Sequence, residues 1–199
     1  MPASAAYDRS IAEQVAHHAR SKTFSGSLLM AHRSKLERII ATSEIKTVLD
    51  YGCGKAMGWA PRPDGTATLQ KQLDIRGLTL YDPCVPEFAS ERGLEDDCRY
   101  DLVILSHVLF WIPVSDLHRW VLPRIYRLAK KVVLVVETIG EAKKQILSQP
   151  DLHPRGLHAV DWIDLLIPHQ AEGPNGAVTR LVTEYRGLDG RVYAGEWRL

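Results

Sequence analysis

Apolar positions change period several times along the chain, and each change marks an element. Ile11, Val15 and Ala19 recur at helical spacing, as do Leu36, Ile39 and Ile40, so residues 1–44 read as helical. A polar, glycine-containing break, Thr23-Phe24-Ser25-Gly26-Ser27, separates the two stretches. Continuous apolar runs follow. Lys46 to Tyr51 reads as a buried strand, Gly77 to Tyr81 and Tyr100 to Leu105 as a second and third strand, and Lys131 to Val136 as a central strand. Between the first two strands, residues 60–70 carry prolines and turn formers and read as a loop. Ser115 to Ala129 predicts a helix, with Ser115 as N-cap and an apolar stripe of Leu117, Val121, Leu122, Ile125 and Leu128. His158 to Leu166 predicts a further short helix. Two alternating runs, Thr179–Tyr185 and Arg191–Trp197, flank Gly187-Leu188-Asp189-Gly190 and predict a hairpin. Apolar strands alternating with helices indicate a parallel sheet covered on both faces.

Composition narrows this picture. The 199 residues suit a single domain, residues 1–199, whose first 44 residues form a helical cap or lid segment. With 25 basic and 24 acidic residues there is no global basic field, which weighs against a protein that coats nucleic acid. No apolar run reaches the roughly 18–20 residues of a membrane span, and the first ten residues, MPASAAYDRS, show no signal-peptide pattern. Cys53, Cys84 and Cys98 form neither a disulfide framework nor a metal-binding pair, so no metal is expected and a reducing cytoplasm is the simplest setting.

Three features carry candidate chemistry. The first is Val48-Leu49-Asp50-Tyr51-Gly52-Cys53-Gly54-Lys55-Ala56, a strand running into a Gly-x-Gly turn. Glycine there permits positive φ and a close backbone approach to a ligand. The second is Asp82 at the end of the next strand, placed to accept both hydroxyls of a ribose. The third is Ser106-His107 at the end of the third strand. All three lie at carboxyl ends of strands, where ligands of open α/β sheets bind. Each also has a plain structural reading: Asp50 as a turn cap, Asp82 as a turn former before Pro83, and His107 and His158 as packed or surface histidines. The full G-x-G-x-x-G fingerprint is missing, since Met57 holds the spaced third position, and no GxxxxGK[ST] occurs.

These stretches resemble the class I S-adenosylmethionine-dependent methyltransferases. VLDYGCGKA is similar to their motif I, LTLYDPCVPEF to their second-strand motif, and YDLVILSHVLFWIP to the fourth-strand motif and the helix after it. The likeness spans about residues 22–165. It is nearest to small methyltransferase-domain proteins of bacteriophages and bacteria, through Phe24-Ser25-Gly26, Asp50–Ala56, Tyr81-Asp82-Pro83, and Leu157-His158 with Trp162. The resemblance implies a Rossmann-like α/β fold: a mostly parallel seven-stranded sheet, helices on both faces and a C-terminal antiparallel hairpin. It implies that Asp50, Gly52 and Gly54 surround the methionine part of S-adenosylmethionine and that Asp82 binds the ribose, with Pro83 or Cys84 flanking the adenine. It places Ser106 and His107 near the sulfonium, and Phe24 and Gly26 in a lid. His107 is the first candidate base and His158 the second. Two departures stand out. Ala56 replaces a glycine usual in the family, and His107–Pro113 replaces a segment that commonly reads Asp-Val-Leu-Glu-His-Ile-Pro, which implies a more aromatic and less acidic acceptor pocket.

The expected function is therefore methyl transfer to a small-molecule or sugar-type acceptor, stacked on Phe110, Trp111 or Trp162. No Asn/Asp-Pro-Pro-Tyr/Phe tetrapeptide points to nucleic-acid bases. The alternative is a non-catalytic cofactor-binding or protein-partner module with a degenerate active site. A nicotinamide-dependent oxidoreductase ranks below both.

Overall fold

The computed structural model describes residues 4–20, 25–61, 64–95, 97–138, 180–186 and 192–198. The N-terminal segment forms helix α1, Ala5–Arg20, then a 3-10 turn, Ser27–His32, that runs into helix α2, Arg33–Ser43. Strand β1, Thr47–Tyr51, follows, then the short helix α3, Leu69–Gln72, and strand β2, Gly77–Tyr81. Thr68 caps α3 by accepting the N–H of Lys71, so a helical turn begins inside the stretch expected to be loop. Strand β3, Tyr100–Ser106, leads to helix α4, Val114–Asp116, a π turn, Leu117–Val121, and helix α5, Leu122–Leu128. Strand β4 runs from Ala129 to Thr138, and β5, Arg180–Arg186, and β6, Val192–Arg198, complete the order.

The expected helix 115–129 is thus divided, and Ser115 is not its N-cap. The first turn begins one residue earlier, with the amides of Asp116 and Leu117 both donating to the carbonyl of Pro113 at 2.9 Å. The π turn lies just before Pro123, which has no N–H to donate and whose ring crowds the carbonyl four residues back. The helix expected at 158–166 and the turn at 187–190 lie outside the described residues.

The sheet order is β2-β1-β3-β4-β5-β6, six strands among the described residues where seven are expected. The first five strands of the chain pair in parallel, and β6 pairs antiparallel with β5. At the amino ends of the strands, the Asp101 carboxylate accepts the amides of Lys46 and Thr47 at 2.9 and 3.0 Å, which locks β1 beside β3.

Alternate residues of the central strands feed two cores. Leu49, Tyr51, Val103, Leu105, Val133 and Val135 pack with Leu117, Val121, Leu122 and Ile125, together with Tyr7 of α1. Val48, Leu102, Ile104, Val132, Leu134 and Val136 pack with Leu36 and Ile39 of α2, with Leu29, and with Trp59 and Leu69. The sheet is therefore buried on both faces, which is why its strands read as continuous apolar runs. A fully buried leucine or isoleucine in such a layer contributes roughly 1.5–3 kcal/mol.

Candidate functional site

The carboxyl ends of β1, β2, β3 and β4 form one rim, and the glycine turn is its centre. Gly52 follows β1 with φ +81°, and its N–H donates 2.7 Å to the carbonyl of Tyr81, fastening the turn to the end of β2. A Cβ on Gly52 would lie 2.3 Å from Cγ2 of Val108. Glycine is therefore required here by the chain's own packing as well as by its dihedral. The amide of Gly54 donates 2.8 Å to Oδ2 of Asp82, and Oδ1 of Asp82 accepts the amide of Cys84, also at 2.8 Å. Asp82 is buried and rigid, tied to the β1 turn by one oxygen and to its own turn by the other.

Gly26 seats the N-terminal segment on this turn. Its φ is +72°, a Cβ there would meet the carbonyl oxygen of Cys53 at 2.3 Å, and the neighbouring carbonyl of Ser25 accepts the amide of Met57 at 2.8 Å. Phe24, expected in the same lid, lies outside the described residues, as does His158.

Asp50, two residues after Val48 on β1, shares the sheet face of Val48. It is buried, and its Oδ2 accepts the indole N–H of Trp59 at 2.7 Å, while its Oδ1 is buried without a partner. Burial, and secondarily the charge of Asp82, raise its pKa to about 7 against the pull of the Trp59 bond. Ser106, at the end of β3, also holds its Oγ buried without a partner. Strand alternation puts Asp50 and Ser106 on the same face of adjacent strands, because Asp50 registers with Ile104, two residues before Ser106. Two unsatisfied acceptor groups thus share the sheet face covered by α2.

His107 has φ +57°, a costly conformation for a residue with a Cβ. Its ring centroid lies 6.1 Å from that of His32. Burial, with the charge of His32 adding to it, lowers its pKa to about 4. The shift favours the neutral imidazole, the form that can accept a proton, and weakens it as a base.

Two functional candidates were not read from the sequence. Trp59 orients Asp50. Glu137, one residue before the end of β4, is buried with Oε1 accepting the amides of Val108 and Leu109 at 2.9 and 2.7 Å. A lone acid closing an apolar run gave no sign of this, and a tryptophan nine residues past Asp50 gave none either.

A cavity lies at this rim, with α1 along one side. Its volume is about 20 Å3, and it is lined by Gly52, Asp82, Pro83 and Cys84 with Val108 and Ile112, and by Tyr7, Ile11 and Gln14 of α1. That volume holds about one water. The thiol of Cys84, pushed up to about 12 by burial, lies 3.7 Å from Oε1 of Gln14 and 3.9 Å from the carbonyl of Ile11. Helix α1 is held down by the carboxylate of Asp116, which accepts the amide and hydroxyl of Ser4 at 3.0 and 2.7 Å. The hydroxyl of Ser10 and the amide of Gln14 add bonds to the carbonyl of Trp111, and Tyr7 meets Trp120 edge to face.

The structure therefore gathers Gly52, Asp82 and Pro83 around one cavity, ties Gly54 to Asp82 by a hydrogen bond, seats Gly26 against the same turn, and leaves Asp50 and Ser106 outside that cavity's walls. Among the described residues no cluster of three His, Cys, Asp or Glu side chains could hold a metal, and no helix is long and apolar enough to cross a membrane. Comparison with known proteins gives no match: no family model, curated protein or solved structure is significantly similar to the chain.

Proposed function

We propose that the chain is an S-adenosylmethionine-dependent methyltransferase with a Rossmann-like sheet, acting on a small-molecule or sugar-type acceptor in a reducing cytoplasm. The observation that carries this reading is the coupling of the Gly52–Gly54 turn to the strand-end carboxylate of Asp82 through the Gly54 amide. A turn whose backbone is fixed to an acid on the next parallel strand is suited to a ligand with a ribose at one end and a charged tail at the other.

The donor set fits the cofactor. The orphaned Oδ1 of Asp50 is a buried acceptor suited to an ammonium group, and a cation there would draw the carboxyl back to its ionised form. Ser106 offers a second unsatisfied group on the same face. Asp82 keeps lone pairs for hydroxyl groups beyond the two amides it accepts. Helix α1, which lines the cavity through Tyr7, Ile11 and Gln14, would border the bound nucleoside.

When bound, the cofactor supplies a methyl group made electrophilic by its sulfonium. The chain's own task is to orient donor and acceptor and exclude water. Asp82 and the glycine turn would fix one end, Asp50 under the control of Trp59 would fix the charged tail, and His107 would present a neutral, weakly basic nitrogen. An acceptor already bearing a free lone pair suits that weakly basic site best.

A second reading, a non-catalytic binding module, is favoured by the low basicity of His107. Transfer of labelled methyl from S-adenosylmethionine into a pool of sugars and small metabolites separates the two. The enzyme reading predicts label in an acceptor, lost in Asp82→Ala. Isothermal titration showing cofactor binding with no transfer to any pool favours the module, and absence of binding overturns both.

A further inference from the structure

We propose that Glu137 is the positioning residue of the Val108–Trp111 loop, holding the Val108 side chain over Gly52 at the floor of the crevice. Three successive amides of this loop are gripped by the end of β4. The amide of His107 donates to the carbonyl of Val136 at 2.7 Å, and those of Val108 and Leu109 donate to Oε1 of Glu137 at 2.9 and 2.7 Å. The grip starts at His107, whose φ of +57° persists only if its surroundings over-determine it. It ends at the 3-10 turn Leu109–Trp111, whose Trp111 carbonyl is the acceptor that Ser10 and Gln14 of α1 use. The Glu137 carboxyl thus holds the seat of Val108 against Gly52 and the start of the turn on which α1 docks, next to a His107 held by the Val136 carbonyl.

A simple structural cap does not need an acid here. Glu137 is 3% exposed, and its Oε2 is buried without a partner. Burying an unsatisfied carboxyl oxygen is unfavourable. Its position near a strand end, with both of its side-chain bonds directed to one loop, indicates that loop placement is its role.

The test uses the full chain and three variants, read by amide hydrogen exchange, by the His107 ring resonance, and by titration with S-adenosylhomocysteine. Glu137→Ala should speed exchange of the Val108 and Leu109 amides by roughly a hundredfold while the β3 amides stay protected. Its His107 ring should titrate nearer the ordinary histidine value, an effect that a general loss of stability does not produce. Glu137→Gln, which keeps the accepting oxygen, should stay within about threefold of the native chain in exchange. Glu137→Asp withdraws the oxygen by one methylene and should fall between them, which keeps the test open if the alanine variant does not fold. Unchanged Val108 and Leu109 protection in the aspartate or alanine variant would overturn the proposal. So would a glutamine variant as unprotected as the alanine variant. The ligand arm rests on the methyltransferase reading: affinity should fall roughly tenfold in Glu137→Ala. If the native chain binds no S-adenosylhomocysteine, that reading fails, and the exchange and ring measurements still decide the role of Glu137.

Discussion

Ala56 shows what a single residue reveals. It stands where the resembled family has glycine, and its φ of +52° is the conformation that glycine adopts freely. The strain of an L-residue there is roughly 1–2 kcal/mol, offset in part by the entropy that glycine would lose on folding. Ala56→Gly is therefore expected to stabilise the chain by about 0.5–1 kcal/mol in urea denaturation. A loss of stability would mean that the methyl group packs more favourably than its dihedral costs. Gly26→Ala acts in the opposite sense. Its Cβ would enter the space of the Cys53 carbonyl at 2.3 Å, and backbone cannot yield as a side chain tip does. A loss of roughly 2–3 kcal/mol is expected. The titrating groups act at the same scale. Burial raises Asp50 from 3.8 to about 7, so the folded chain holds a proton that the unfolded chain has released, and the Asp50 contribution to stability falls as pH rises through that window. His107 runs the other way. Its pKa is lowered from 6.5 to about 4, so its contribution is full above 6.5 and is lost as pH falls toward 4. The stability difference between the native chain and Asp50→Asn, followed by denaturation from pH 4 to 8, should shift steadily against the native chain up to about pH 7. A difference independent of pH would remove the buried acid from the account.

At the scale of elements, strands β1, β2, β3 and β4 were legible because a sheet covered on both sides leaves continuous apolar runs and its helices leave stripes. Residue types at strand ends also marked Gly52, Gly54 and Asp82. Three things were not legible, each for a physical reason. The π turn before Pro123 is a local response to a missing N–H within a run whose apolar period stays helical. The grip of Glu137 on Val108 and Leu109 joins residues 28 and 29 apart in the chain. The seating of α1 depends on contacts over still greater separation, Ser4 to Asp116 and Ser10 to Trp111. No periodicity encodes such pairings. The N-terminal segment was expected as a cap, and its helix α1 lines the cavity through Tyr7, Ile11 and Gln14, while Phe24 of the expected lid lies outside the described residues. Helix α1 should therefore limit the rate of ligand entry. Asp116→Ala removes both acceptors of Ser4, weakening α1 docking by about 1–3 kcal/mol. Stopped-flow tryptophan fluorescence should then show S-adenosylhomocysteine association several-fold faster than in the native chain. An unchanged rate would mean that the crevice opens by another route.

At the scale of the whole molecule, a five-strand parallel array places the glycine turn and Asp82 at the carboxyl ends of its strands, where ligands of open α/β sheets bind. Fold alone does not assign a function, because one sheet hosts many. The central claim is recognition of an adenosyl–amino-acid ligand by the Gly52–Gly54 turn and Asp82. The most direct test is a thermal-shift titration of the native chain and Asp82→Ala with S-adenosylmethionine, S-adenosylhomocysteine, NAD and ATP. At a hundredfold excess over Kd, binding adds about 2.7 kcal/mol, a rise in Tm of roughly 5–10 °C for a chain of this size. The account predicts that rise with the first two ligands in the native chain, its loss in Asp82→Ala, and no rise with NAD or ATP. A native Tm unmoved by either sulfur ligand, or moved equally in Asp82→Ala, would contradict it.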